Sequence, residues 1–163
     1  MTDIRRGKIE SAIGECEAHI ARIQSATAQL AAVFPLSPQT LTALPPERVA
    51  LLDQFIYRFT KLQDAMGRRL FPPLASLVIG DDEARPFLDT LNRLEKAGVL
   101  ASVETWQTLR VLRNSLAHEY PDSVERCAAT LNILFDDWRQ LASMFEGARA
   151  YFLERLLPLL SEY

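Results

Sequence analysis

Residues 110–120 bring together side chains that could cleave a phosphodiester without a metal ion. The segment reads RVLRNSLAHEY and contains one of only two histidines in the chain. Near neutral pH, histidine can move a proton to or from a ribose hydroxyl, whereas a guanidinium binds phosphate and stabilises transition-state charge. We therefore predict that His118 is a general acid or base and that Arg113 holds the scissile phosphate. Asn114, four residues before His118, is close enough to assist, and Arg110 is a candidate substrate contact.

The spacing of these residues would form a polar groove if the segment is helical. At about 100° per residue, Leu109, Leu112 and Leu116 share one side of the helix. Arg113 and His118 then lie on the flanks of the opposite, polar side, about 140° apart.

One such helix supplies only a single histidine and arginine set. In-line cleavage of RNA needs an acid and a base on opposite sides of the phosphorus. A two-fold dimer would provide both by facing two copies of the segment across its axis. We therefore expect a homodimer whose active site is shared between the subunits.

Apolar periodicity and prolines predict the helices that position this segment. Five are expected: about Gly7 to Val33, from after Pro45-Pro46 to about Leu70, about Arg85 to Ala97, from Ser102 to near Pro121, and from Asp122 or Ser123 to about Leu157. The prediction is an all-α fold, an antiparallel bundle of about five helices that forms one domain over residues 1–163.

Local signals predict where several helices begin and end. Phe71-Pro72-Pro73 should terminate the second helix, and the acidic residues 81–83 should open the third at the positive end of its dipole. Gly98 is placed to cap the third helix, and Ser102 to cap the fourth. Gly147 or Pro158 could bend or end the last one.

The charge balance argues against a surface built for general nucleic-acid binding. Lys and Arg number 18 against 21 Asp and Glu, which gives a net charge of −3, whereas non-specific nucleic-acid binders normally have a positive excess. Any RNA contact should therefore come from a local basic site. The two cysteines, Cys16 and Cys127, follow apolar helical stripes and are expected to be buried and reduced.

Neither a cofactor nor membrane contact is expected. The two histidines have no neighbours with metal-ligand spacing, and a glycine-rich phosphate loop is missing. No apolar run approaches the roughly 20 residues that cross a bilayer, and the N-terminal residues show no signal region. These features favour a cytoplasmic protein.

Two segments resemble HEPN ribonucleases of the HepT toxin group. Residues 113–120 are similar to that family's Arg-x4-His-x-Tyr signature, with the polar Asn114 after the arginine. Residues 55–67, FIYRFTKLQDAMG, resemble the second-helix sequence of HepT-like proteins, and Asp64 matches a family position without an assigned role. The two matches cover two of the five expected helices.

The resemblance implies a bacterial toxin–antitoxin system. HepT-like toxins are dimeric, metal-independent ribonucleases that are paired with a small nucleotidyltransferase antitoxin. The antitoxin can silence the toxin by adding AMP to the motif tyrosine, which corresponds here to Tyr120. Phosphates added two residues from His118 would bring negative charge and bulk into an RNA-binding groove. Other HEPN members are inactive or only bind nucleotides or partner proteins.

Structural roles are open alternatives for these residues. His118 could cap the helix end, and Arg113 and Arg110 could be ordinary surface arginines. Asn114 could lie in a dimer interface, and Tyr120 could pack over the helix terminus.

Other polar and aromatic residues favour structural interpretations. We expect His19 to be a structural histidine and both tryptophans, Trp106 and Trp138, to pack in the core rather than stack on bases. The second-helix cations could line an RNA path or be solvated charge; they are Arg58, Lys61, Arg68 and Arg69.

Two further classes of function are compatible with the sequence. One is a non-catalytic accessory subunit that presents a substrate or nucleotide to a partner nucleotidyltransferase. The other is a helical interaction protein without chemistry, which a monomer with both Arg113 and His118 buried would favour.

Overall fold

A computed structural model shows an all-helical chain across the residues that it describes. These are residues 2–119 and 123–161 for the backbone, and 4–116 and 123–161 for the side chains. The α-helices are α1 (Thr2–Leu30), α2 (Pro38–Thr42), α3 (Pro46–Ala65), α4 (Phe71–Ile79), α5 (Phe87–Lys96), α6 (Val103–Glu119), α7 (Val124–Tyr151) and α8 (Leu157–Leu160). Single π-helical turns, Met66–Leu70 and Phe152–Leu156, join α3 to α4 and α7 to α8. The all-α prediction is confirmed.

Helices α1 and α3 pack side by side in opposite directions. Arg48, near the start of α3, donates to the carbonyl of Gln29 near the end of α1, whereas Arg69, just after α3, pairs with Glu15 in the first half of α1. Each fully buried apolar side chain contributes about 1.5–3 kcal/mol. The largest of these side chains come from helices along the whole chain and include Ile9, Ile23, Leu52, Phe55, Phe59, Phe71, Trp106, Phe145 and Phe152.

The predicted end of the second helix at Phe71-Pro72-Pro73 is wrong. The chain passes through the π-helical turn Met66–Leu70 and continues helically as α4. In that turn, the amide of Phe71 donates to the carbonyl of Met66. Pro72 and Pro73 then occupy the first turn of α4, where a missing N–H is tolerated.

The acidic residues 81–83 do not open the third helix as predicted. They lie in the loop before α5, whose N-terminal cap is Pro86. Arg85 donates to Asp81 over 2.6 Å, and this hydrogen bond lowers the pKa of Asp81. The acidic residue that does lie in the first turn of α5 is Asp89.

Several other boundary predictions are confirmed. Gly98 has a φ of 80°, the left-handed conformation that glycine adopts without strain, and the Ser123 side chain accepts from the Arg126 amide at the start of α7. The suggested end of the last helix at Gly147 is wrong, because α7 continues through Gly147 to Tyr151. Pro158 lies in the first turn of α8.

A short helix, α2, was not predicted in the linker that follows α1. Ser37 caps it by accepting a hydrogen bond from the amide of Thr40. Asn132 of α7 fixes the preceding residue, Leu36: its Oδ1 accepts from the Leu36 amide at 2.7 Å, and its Nδ2 donates to the Leu36 carbonyl at 2.9 Å. The linker is thereby attached to α7.

Candidate functional site

Helix α6 carries the predicted site and is fixed at its N-terminus by two hydrogen bonds. Ser102 Oγ accepts from the amide of Thr105 at 3.1 Å, and a carboxylate oxygen of Glu95 accepts from the amide of Val103 at 2.6 Å. Both acceptors satisfy amides that have no partner within the helix. The start of α6 is therefore held against the end of α5.

The leucine side of α6 faces the core, as predicted. Leu109 and Leu116 are buried, and Leu112 is half-buried against the core. This burial turns Arg110 and Asn114 toward solvent, where both are exposed. Arg113 lies between these two environments and is half-buried.

Arg113 forms an ion pair with Asp64, which lies in the last turn of α3. The distance from Arg113 Nη1 to Asp64 Oδ1 is 2.9 Å, and the Arg113 side chain is 15% exposed. A second, longer hydrogen bond of 3.4 Å joins Arg113 Nε to Asn114 Oδ1. The guanidinium is therefore held from two directions, and the carboxylate of Asp64 balances its charge.

Two surface depressions meet at Arg113. The first, which we call the basic cleft, has a volume of about 320 Å³ and is lined by Gln63, Asp64, Arg68, Trp106, Arg110 and Arg113, among others. The second, the apolar groove, has a volume of about 470 Å³ and is lined by Ile56, Tyr57, Thr60, Arg113, Asn114 and Leu116, among others. Arg113 belongs to both.

The basic cleft has the opposite charge to the whole chain. Its three arginines face a single carboxylate, that of Asp64, and so leave a local excess of two positive charges, whereas the chain as a whole has a net charge of −3. Such a local field attracts anions to one place on an otherwise acidic protein. The cleft therefore has the sign of charge that complements a phosphate group.

The structure brings three of the five predicted site residues together. Arg113 and Asn114 are in contact, and Arg110 shares the basic cleft with Arg113. The backbone of His118 belongs to α6, but its side chain lies outside the described residues, as does the whole of Tyr120. Their predicted roles stay predictions.

Two residues of the site were not assigned by sequence reasoning. Asp64 had been noted only as part of the resemblance, and its partner on α6 becomes visible only once α3 packs on that helix. Gln63 is buried, with 1% of its surface exposed, and its Nε2 donates to the carbonyl of Trp106 at 3.1 Å. Apart from the resemblance at Asp64, no sequence signal distinguished these two residues from the other polar residues of α3.

The structural interpretation of His19 is supported by its contacts. Arg58 Nη1 lies 3.1 Å from His19 Nδ1, and Glu15 lies 3.4 Å from Nε2. Because a guanidinium can only donate, Nδ1 accepts, and Nε2 carries the proton that points to Glu15. His19 is buried and links α1 to α3.

The remaining structural predictions are confirmed. Trp106 and Trp138 are buried, and both cysteines are buried and free of disulfide bonds.

Of the four cations suggested for an RNA path, only Arg68 lines the basic cleft. Arg69 pairs with Glu15, and the other two, Arg58 and Lys61, lie over the ring of Tyr57.

Within the described ranges, His, Cys, Asp and Glu side chains form no group of three that could hold a metal ion. In the same ranges, none of the helices has the length and apolar character that crossing a bilayer demands. Comparisons with models of known protein families, with curated proteins and with solved structures found no match to this chain.

Proposed function

We propose that the chain is a HepT-like toxin, a metal-independent endoribonuclease that acts as a homodimer in the cytoplasm. The observation that carries the proposal is the position of Arg113. Asp64 and Asn114 hold its guanidinium where two depressions meet, on the helix that bears His118 five residues later. Five residues advance a helix by about 7.5 Å, and the proposal requires the two residues to act on one phosphodiester group.

The proposed chemistry uses the chain's own side chains. Arg113 binds the scissile phosphate, and the two copies of His118 take the proton from the attacking 2′-hydroxyl and give one to the leaving 5′-oxygen. The 2′-oxygen bonds to phosphorus as the bond from phosphorus to the 5′-oxygen breaks. Attack by the 2′-hydroxyl leaves a cyclic phosphate. The second copy of His118 comes from the other protomer of a two-fold dimer with a HEPN-like arrangement, and Asn114 assists.

The proposed partner is a nucleotidyltransferase antitoxin that neutralises the toxin by adding AMP to Tyr120. Tyr120 follows the C-terminal end of α6 in the sequence. AMP on that residue would add negative charge and bulk two residues from His118 in the sequence, where it would compete with RNA.

The test is RNA cleavage in excess EDTA by wild-type protein, His118→Ala and Arg113→Gln. General acid–base catalysis contributes about 10²–10⁴-fold, and one donor that stabilises transition-state charge contributes about 10²–10³-fold. We therefore expect each variant to lose roughly 100-fold or more in rate. Arg22→Gln is the matched control, since Arg22 is an exposed arginine of α1 outside both depressions. Equal activity of His118→Ala and wild type, with thermal unfolding unchanged, would defeat the proposal.

A second candidate is the non-catalytic accessory subunit, and the ion pair itself favours it. The carboxylate of Asp64 neutralises Arg113, and a phosphate has to compete with it for the guanidinium. This candidate predicts RNA or nucleotide binding without cleavage, and no growth arrest when the chain is expressed alone. The ribonuclease predicts both cleavage and arrest.

A further inference from the structure

The wall of the basic cleft contains two buried polar side chains with unused hydrogen-bonding atoms. Gln63 Oε1 and Trp106 Nε1 have no hydrogen-bond partner, although Gln63 is 1% exposed and Trp106 is 2% exposed. Most buried polar atoms in proteins are paired, so each exception needs an explanation. Here the acceptor and the donor belong to two residues that are joined by a hydrogen bond and line the same cleft.

The same wall offers a rigid aromatic surface. The Trp106 ring lies between Phe71, with centroids 5.1 Å apart, and Phe87, with centroids 6.2 Å apart. Phe87 is half-buried and lines the cleft. Gly67 adds no side chain there: a Cβ on it would lie 3.2 Å from the Phe87 ring and 3.3 Å from the Trp106 ring. Trp106 and Phe71 are buried and hold Phe87 in place, so a flat heteroaromatic group can stack on the part of the Phe87 ring that faces the cleft.

The rim of the cleft carries cations that are available to an anion. Arg68 and Arg110 are exposed, and neither has a hydrogen-bond or ion-pair partner among the described residues. Arg113, in contrast, is held by Asp64. The cleft volume of about 320 Å³ is at the lower end of the range for small-molecule sites, roughly 300–1,000 Å³, which suits a single nucleotide.

We propose that the basic cleft is a nucleotide-binding subsite. The base lies against the exposed part of the Phe87 ring, and its phosphate is bound by Arg68 and Arg110. The edge of a base has both donors and acceptors and so can complement the unused atoms of Gln63 and Trp106. This inference rests on the proposed ribonuclease function: the nucleotide is the neighbour of the phosphate held by Arg113, and the cleft sets the base preference at that position.

The test is a fluorescence titration that reports on Trp106. Trp138→Phe leaves Trp106 as the only tryptophan, and the probes are AMP, GMP, CMP and UMP, with inorganic phosphate for comparison. We expect saturable quenching by at least one nucleotide, with affinity at least tenfold above that for phosphate, because base stacking on aromatic side chains contributes on that order. Calorimetry on the wild-type protein replaces fluorescence if Trp138→Phe is unstable.

Variants assign the binding to the cleft. Arg68→Gln and Arg110→Gln should each weaken nucleotide binding by about fivefold, the loss expected for one partly solvated charge-assisted contact. Phe87→Leu, which keeps an apolar side chain but removes the ring, should weaken it by about tenfold. Arg22→Gln is the control and should bind as the wild-type cleft does.

Three results would overturn the inference: no binding, equal affinity for nucleotides and phosphate, or binding unaffected by Arg68→Gln, Arg110→Gln and Phe87→Leu. Failure here is distinguishable from failure of the ribonuclease proposal. RNA cleavage in EDTA without nucleotide binding refutes only the subsite. Cleft-dependent nucleotide binding by a protein that does not cut RNA refutes the ribonuclease and leaves a nucleotide-binding cleft.

Discussion

Replacing Asp64 by Asn should affect stability and RNA binding in opposite directions. The substitution keeps the shape and one oxygen acceptor but removes the charge 2.9 Å from the guanidinium. Breaking a buried pair is worth about 3–5 kcal/mol, and an exposed one about 0–1 kcal/mol. Because Asp64 is 34% exposed, solvent screens the pair. We expect a loss of about 1 kcal/mol, equivalent to roughly 2–4 °C in Tm.

The same substitution should strengthen RNA binding. Asp64 lines the basic cleft, so its charge repels a phosphate that binds Arg113. If the Asp64 carboxylate and the phosphate are about 6 Å apart, and the effective dielectric constant is between about 40 and 80, their repulsion is about 0.7–1.4 kcal/mol. Its removal should tighten RNA binding by about three- to tenfold. The rate of cleavage should fall, because Arg113 loses the contact that orients it.

The assay combines chemical denaturation with KM and kcat for a fluorescent RNA, measured in EDTA. Asp136→Asn is the matched control, because it removes the same charge from an exposed position on α7. A double-mutant cycle with Arg113→Gln should give a coupling energy of about 1 kcal/mol. Equal stability and equal KM for Asp64→Asn and Asp136→Asn, or a coupling below about 0.3 kcal/mol, would show that the ion pair affects neither stability nor RNA binding.

Three other substitutions or reagents test the structure around the site. Ser102→Ala removes the cap of α6 and should lower the free energy of unfolding by about 1 kcal/mol; an unchanged denaturation midpoint contradicts this. Asn132→Ala removes both hydrogen bonds to Leu36 and should lower that free energy by about 2–3 kcal/mol and speed hydrogen exchange at the Leu36 amide, whereas unaltered exchange argues against the contact. Burial raises the pKa of the Cys16 thiol from 9.0 to about 12, so stability should fall as pH rises above 9.0, where only the unfolded chain ionises. A thiolate-specific reagent at pH 9.0 should label Cys16 only after unfolding, and fast labelling of folded protein is the contrary result.

The helical framework could be predicted because burial imposes a periodicity that the sequence displays. Residues such as Leu109 and Leu116 recur at helical spacing, and both are buried. The failure at Pro72-Pro73 has a specific cause. Proline excludes a continuous α-helix, but the π-helical turn before it rearranges the hydrogen bonds so that both prolines fall in a first turn. Proline alone does not indicate that rearrangement.

The polar contacts of the site could be predicted only in part. Arg110, Arg113 and Asn114 are close in sequence, so one helix places them together whatever the tertiary fold. Asp64 is 49 residues from Arg113, and its contact depends on how α3 packs on α6. The spacing of residues within one helix contains no information about that packing, so only the resemblance pointed to Asp64.

A mixing titration determines whether two copies of His118 act on one phosphodiester. Wild-type and His118→Ala chains are unfolded together, refolded at several ratios and assayed for RNA cleavage in EDTA. If both protomers contribute a proton carrier to a shared site, activity follows the square of the wild-type fraction, and an equal mixture keeps about one quarter of it. A linear decline, which leaves about half, or no cleavage by the wild-type protein contradicts the account.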